Sequence, residues 1–190
     1  LKNPNIIKPE EFEQWAKMWL SNKWADFAID FLNEHYEKFT TWPASCNKHH
    51  SYKGGLFDHS VLTARLAGQT CLLYPNVDMN VTVAAALLHD VGKMLCYEPN
   101  GDKFVKNRAN MLHHHIPIGY HLLMSYIENY DISDEQKLNF GHCILAHHGR
   151  LEWHSPVEPA TPEALIVHAS DMQDAYLTSF YERGKLHGDD

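Results

Sequence analysis

Apolar positions recur at helical spacing along most of this chain, and the pattern predicts a succession of helices joined by short connections. Pro9 opens the first helix, with Phe12, Trp15 and Trp19 on one side, and a second helix carries Trp24, Phe27, Ala28 and Phe31 on one face. From Phe39 to Gly55 the periodicity disappears around Pro43 and the pair Gly54-Gly55, so a long loop is expected, and long loops are usually functional. A third helix is predicted from Leu56 to Leu73. The run VTVAAALL, Val81 to Leu88, is too rich in alanine for a strand; it predicts a buried helix that ends at His89-Asp90, with Gly92 as a stop. Tyr97 to Val105, around Asn100-Gly101, predicts a small β-hairpin. Pro117 suits the first turn of a helix through Leu122, Leu123 and Ile127, with His115 just before it. Ser133 and Gln136 form a capping box for a helix that ends at His147, His148 and Gly149. Thr161, Pro162 and Glu163 open a last long helix that contains Asp171. The expected fold class is all-α, with the one hairpin.

Length and charge narrow the reading. A chain of 190 residues has room for one domain with a sizeable core, and it contains no internal repeat or low-complexity linker. No run of ~18 apolar residues is present to span a membrane, and no signal peptide is visible. The four cysteines, Cys46, Cys71, Cys96 and Cys143, form no CxxC pair, which fits a reducing compartment, the cytoplasm. A net charge of −8 argues against a basic surface that grips long nucleic acid. The first residue is Leu rather than Met, as expected of a segment cut from a longer protein.

The unusual feature is the presence of fifteen histidines, the commonest metal ligand among side chains. His89 and Asp90 end a strongly apolar helix, where a charge needs a partner and where both side chains can turn toward one ion. Asp171 shares a helix face with Val167, His168 and Ala175, which aims a carboxylate inward; an ion pair or a metal would compensate it. His147 and His148 follow Ile144 and Phe140 on an apolar face, and His59 lies beside Leu62, Thr63 and Leu66. A satisfied core histidine is the ordinary reading of any one of these positions. Five together point to a shared centre.

The order of these elements resembles the HD-domain superfamily of metal-dependent phosphohydrolases. Four runs carry the resemblance: PASCNKHHSYKGGLFDH (43–59), LLHDVGK (87–93), AHHGRLEWHSP (146–156) and HASDMQDA (168–175). They are similar to the HD domain of YhaM-type 3′→5′ exoribonucleases, and the first also to that of MobH-type relaxases. The resemblance implies an HD helical bundle over residues 43–190, on which the helices of residues 1–42 pack within one compact unit. It implies that His59, His89, Asp90 and Asp171 bind one metal and that Asp90 bridges to a second, held by His115, His147 and His148. His113 and His114 compete with His115 for that register; His115 is preferred because it adjoins a helix start. Two divalent transition ions are implied, among Mn, Fe, Ni, Co and Zn. Asp90, Lys93 and His50, or its neighbour His49, would serve the chemistry, with Arg150 a weaker phosphate contact. The implied substrate is a phosphorylated small molecule or short oligonucleotide, cleaved by a metal-activated water. YhaM-type enzymes carry an OB-type domain ahead of the HD domain, and none is visible here, so long RNA is not the expected substrate. A di-iron oxygenase on the same scaffold, or a non-catalytic regulatory module of a larger nucleic-acid-processing protein, are the competing readings.

Overall fold

The computed structural model describes residues 7–182 and is mostly helical, with one two-stranded antiparallel sheet. After a 3-10 turn at Pro9–Glu11 come α1 (Phe12–Trp19), α2 (Asn22–Glu34) and α3 (Tyr36–Thr41). A loop of residues 42–54 leads to α4 (Gly55–Cys71) and α5 (Met79–Leu88). Then follow α6 (Lys93–Cys96), β1 (Tyr97–Asn100), β2 (Lys103–Lys106), α7 (Arg108–His113), α8 (His115–Ile127), α9 (Asp134–Ala146) and α10 (Pro162–Glu182). No helix of the described residues is long and apolar enough to cross a membrane.

α5 is the axle. Every residue from Val81 to Leu88 is buried, and its three consecutive alanines leave room for α4, α9 and α10 to pack around it. On the far side, α2 brings Phe27 and Trp24 against Phe140 of α9, with ring centroids 5.6 Å apart in both pairs. Phe12 and Trp15 of α1 join the same core.

The starting ends of α5, α9 and α10 are laced together. Asp78 caps α5 by accepting from the Asn80 and Val81 amides at 2.9 and 3.2 Å, and its other oxygen takes the Gln136 amide group at 2.7 Å. Ser133 caps α9 as expected, but the side chain of Gln136 reaches Asp78 and does not close the reciprocal half of a capping box. Glu163 at the start of α10 accepts from the Asp78 amide at 2.9 Å and from Asn139 at 3.0 Å. The three helices therefore run side by side in one sense. Consequently α5 and α9 deliver their C-terminal ends to the same place.

Three local expectations change. The region 39–55 is not all loop, because α3 extends to Thr41. Gly92 does not simply stop a helix. It lies against α8, and a Cβ there would stand 2.0 Å from the His115 carbonyl oxygen and 2.7 Å from the Gly119 amide nitrogen. The hairpin turns at Gly101-Asp102, since Asn100 pairs with Lys103, and Gly101 takes the positive φ of 61°. The hairpin packs Phe104 on Trp42, ring centroids 5.1 Å apart, so the long loop is held from outside.

Gly92→Ala presses a methyl group onto backbone on two sides, where nothing can swing away. It is expected to cost about 1–3 kcal/mol, read as a lower urea midpoint with an unchanged slope.

Candidate metal centre

The last turns of α5 and α9 end on histidines that behave alike. His89 donates Nδ1–H to the Ala86 carbonyl at 2.8 Å, and His147 donates Nδ1–H to the Ile144 carbonyl at 2.7 Å. Each ring thus satisfies a carbonyl that a helix end leaves unpaired. A neutral imidazole that donates from Nδ1 keeps a lone pair on Nε2. Both Nε2 atoms lie beside Asp90, at 3.3 Å from Oδ2 for His89 and 3.7 Å from Oδ1 for His147. Two helix C-termini also turn their negative ends to this spot, a field that favours a cation.

The same device recurs twice. His148 donates Nδ1–H to the Trp153 carbonyl at 2.7 Å. His59, in α4, has its Nδ1 2.6 Å from Asp174 Oδ2, a carboxylate in place of a carbonyl. Its Nε2 stands 3.2 Å from His89 Nε2, 3.2 Å from Asp171 Oδ1 and 3.5 Å from Asp90 Oδ2.

Asp90 divides the cluster. Its Oδ2 faces His59 and His89, while Oδ1 faces His115 Nε2 at 3.3 Å and His147 Nε2. On one side His59, His89 and Asp171 bring their ligand atoms within 4.8 Å of one another; on the other His115, His147 and His148 do the same, and His89, Asp90 and His147 join the two. Ligands 2.0–2.2 Å from one ion stand about 3 Å apart, so the His59–His89 spacing fits a shared ion. Among the described residues Asp90 Oδ1, His115 Nε2 and His147 Nε2 are buried without a hydrogen-bond partner. Three buried polar atoms that confront one another without a hydrogen bond are what a divalent cation would satisfy. The buried His and Asp side chains are able to hold a divalent metal.

Charge in the cluster is arranged accordingly. Burial works against a charge on Asp90, yet Lys93 first, then His89 and the imidazoles of His115 and His59, hold its carboxyl well below the usual range. Lys93 is itself buried with its ammonium on Asp90; burial opposes that charge, and Asp90 more than restores it. Lys93 begins α6 rather than ending a helix, so the helix dipole does not account for its place. Burial also opposes the charge on His59, but Asp171, Asp174 and Asp90 together raise its pKa well above that of an ordinary imidazole. Away from the extra carboxylates, burial pushes His115 down to about 3 and His147 well below its usual value.

The structure therefore brings His59, His89, Asp90, His115, His147, His148 and Asp171 into one centre. His114, at a positive φ of 64°, turns the chain so that His115 opens α8 facing inward, whereas His113 is exposed at the end of α7. His50, expected beside the substrate, is elsewhere. Its ring is tied to Tyr52 and Asp174, with both nitrogens engaged and only 2% of the residue exposed. His49 is the loop histidine that stands nearest, its ring 5.1 Å from that of His59; burial, then the charges on His59 and Lys93, push its pKa down to about 3. Arg150 is exposed, its guanidinium 5.0 Å above the Trp153 ring. Asp174 and Tyr52 were not anticipated. Asp174 lies three residues after Asp171, on the same helix face, which was the one available signal.

A family model, the HD domain, matches residues 56–176. No solved structure matches the chain.

Metal-stripped protein is expected to gain stability when a divalent transition ion is added, by about 2.7 kcal/mol at a hundred times the Kd, seen as a rise in Tm. His147→Gln, which unpairs no charge, is expected to lose part of that rise while the metal-free Tm falls only slightly. An equal response in both proteins would place the ion elsewhere.

Proposed function

Because this chain belongs to the HD-domain family, we propose that it is a metal-dependent phosphohydrolase acting on a nucleotide or a short oligonucleotide, with two divalent transition ions in the centre. The observation that carries the reading is the division of Asp90, one oxygen toward His59 and His89 and the other toward His115 and His147. A single carboxylate held this way suits a bridge between two ion positions. Asp90, His59, His89 and Asp171 would hold one ion, and Asp90, His115, His147 and His148 the other. When bound, such ions supply the charge that activates a water and neutralises phosphoryl oxygens.

The remaining work belongs to the protein. Lys93 places a positive charge at Asp90 Oδ2, next to where a phosphoryl group would approach, and a phosphate ester gathers negative charge on the way to hydrolysis. His49, its ring beside that of His59, is positioned as a hydrogen-bonding partner of the phosphate or leaving group, the part for which the sequence offered His49 or His50. The paired ions and Lys93 make a small cationic centre in a chain of net charge −8, which favours a compact phosphate over a long polyanion. The four sequence runs around the centre support kinship with the HD domains of YhaM-type enzymes, and a cytoplasmic setting goes with that reading.

The test is release of p-nitrophenol from bis-p-nitrophenyl phosphate by untagged protein loaded with Mn²⁺ or Ni²⁺, followed by nucleotides and short oligonucleotides. Asp90→Ala is expected to abolish turnover, and Lys93→Met to lower kcat about 10²–10³-fold, the scale of one lost charge stabiliser. Turnover that survives Asp90→Ala would sink the proposal; resident iron with substrate oxidation and no phosphate release would replace it with the oxygenase.

A further inference from the structure

Behind His59, on the side away from Asp90, a hydrogen-bond chain crosses three segments of the fold. Asp174 Oδ2, on α10, accepts from His59 Nδ1 at 2.6 Å and also lies 2.9 Å from His50 Nε2. His50 Nδ1 is 2.8 Å from the Tyr52 hydroxyl, which donates to Asp58 Oδ2 at 2.9 Å. Since the Tyr52 proton goes to Asp58, its oxygen accepts from His50 Nδ1–H, and a second proton on Nε2 completes the bond from His50 to Asp174. Thr178 Oγ1 closes the group, 3.1 Å from His50 Nε2 and 3.4 Å from Asp174 Oδ1. His50, Asp58, His59 and Asp174 are all buried.

The backbone of His50 is pinned at the unusual φ of 49°. Its carbonyl accepts from Ala44 at 3.1 Å and abuts Gly55, where a Cβ would stand 2.1 Å away; its amide donates to Glu182 at 3.2 Å. A core histidine has no need of such fixing. A histidine that must present one nitrogen to one carboxylate oxygen does. The chain also reaches only one end of the centre: the other imidazoles whose Nδ1 is engaged rest on carbonyls, whereas His59 rests on a carboxylate, which makes it the more basic ligand.

We propose that Tyr52, His50 and Thr178 are positioning residues that hold Asp174, and through it His59, so that the ion position at His59, His89 and Asp171 binds its cation more tightly than the one at His115, His147 and His148. This rests on the two-ion reading above. Removal of the Tyr52 hydroxyl frees His50 to turn, Asp174 loses one of its two anchors, and the His59 ring loses its fixed direction.

Calorimetric titration of metal-stripped, untagged protein with Mn²⁺ tests this. The wild type is expected to show a tighter and a weaker class of site. Tyr52→Phe is expected to weaken the tighter class about tenfold, the usual scale for a group behind a ligand, to leave the weaker class within twofold, and to lower the metal-free Tm as two hydrogen bonds to buried partners are lost. The visible absorption of Co²⁺ in the tighter site is expected to change as well. Tyr130→Phe, which removes a tyrosine–aspartate bond to Asp30 far from the centre, is the control and is expected to match the wild type. Thr178→Val approaches His50 from the other side and serves if Tyr52→Phe does not fold. An unchanged tighter class, a loss confined to the weaker class, or an equal loss in both would overturn the inference and leave the two-ion reading standing. A wild type that binds no Mn²⁺ would overturn both.

Discussion

The burial of three carboxylates in one place is the constraint on which the rest depends. Asp90, Asp171 and Asp174 are each less than a tenth exposed, and an ionised carboxylate taken from water costs several kcal/mol unless cations or donors surround it. The protein surrounds them with Lys93, five imidazoles and His50, and it fixes most of those rings from behind. His59, His89 and His147, each fixed through Nδ1, turn Nε2 toward Asp90. The apolar axle of α5 serves the same end. Its buried alanines draw α4, α9 and α10 close enough for side chains from residues 59 to 174 to meet, and its C-terminus supplies His89 and Asp90 at the point of convergence.

Much of this was legible in the sequence where a pattern repeats over several turns. The long helices and the hairpin follow from apolar faces and turn residues, and charges at the ends of those faces singled out His59, His89, Asp90, His147 and Asp171, whose grouping the resemblance to HD domains implied. What stayed hidden has a common cause. α3, α6 and α7 span four to six residues, too few for a repeat to declare itself. In the loop 42–54 no periodicity tells which of His49 and His50 faces inward, and backbone conformation decides: the positive φ at His50 sends its ring to Asp174. Asp174 shared a face with Asp171 but gained its role only because that loop folds back onto α10. Which of His113, His114 and His115 faces inward likewise depends on one positive φ, at His114.

The two glycines where the turn after α5 meets α8 show how backbone contact sets site geometry. Gly92 lies against His115 and Gly119, so the turn that carries Asp90 touches the first turn of α8 without side chains between them. Asp90 Oδ1 and His115 Nε2 come within 3.3 Å because of that contact, although the two residues belong to different elements. A fold that places these side chains by main-chain contact leaves the open side free to vary, so membership of the family says little about what enters the centre.

Asp171 and Asp174 come from the last helix of the fold, more than eighty residues after His89. A ribosome releases His59, His89 and Asp90 long before their acidic partners. On the two-ion reading, the early ligands would be an incomplete, poorly aimed set with little hold on any cation until α10 docks. On that reading, choice among the cell's metals would thereby be deferred to the finished protein, in which shape can discriminate and mere affinity for loose histidines cannot.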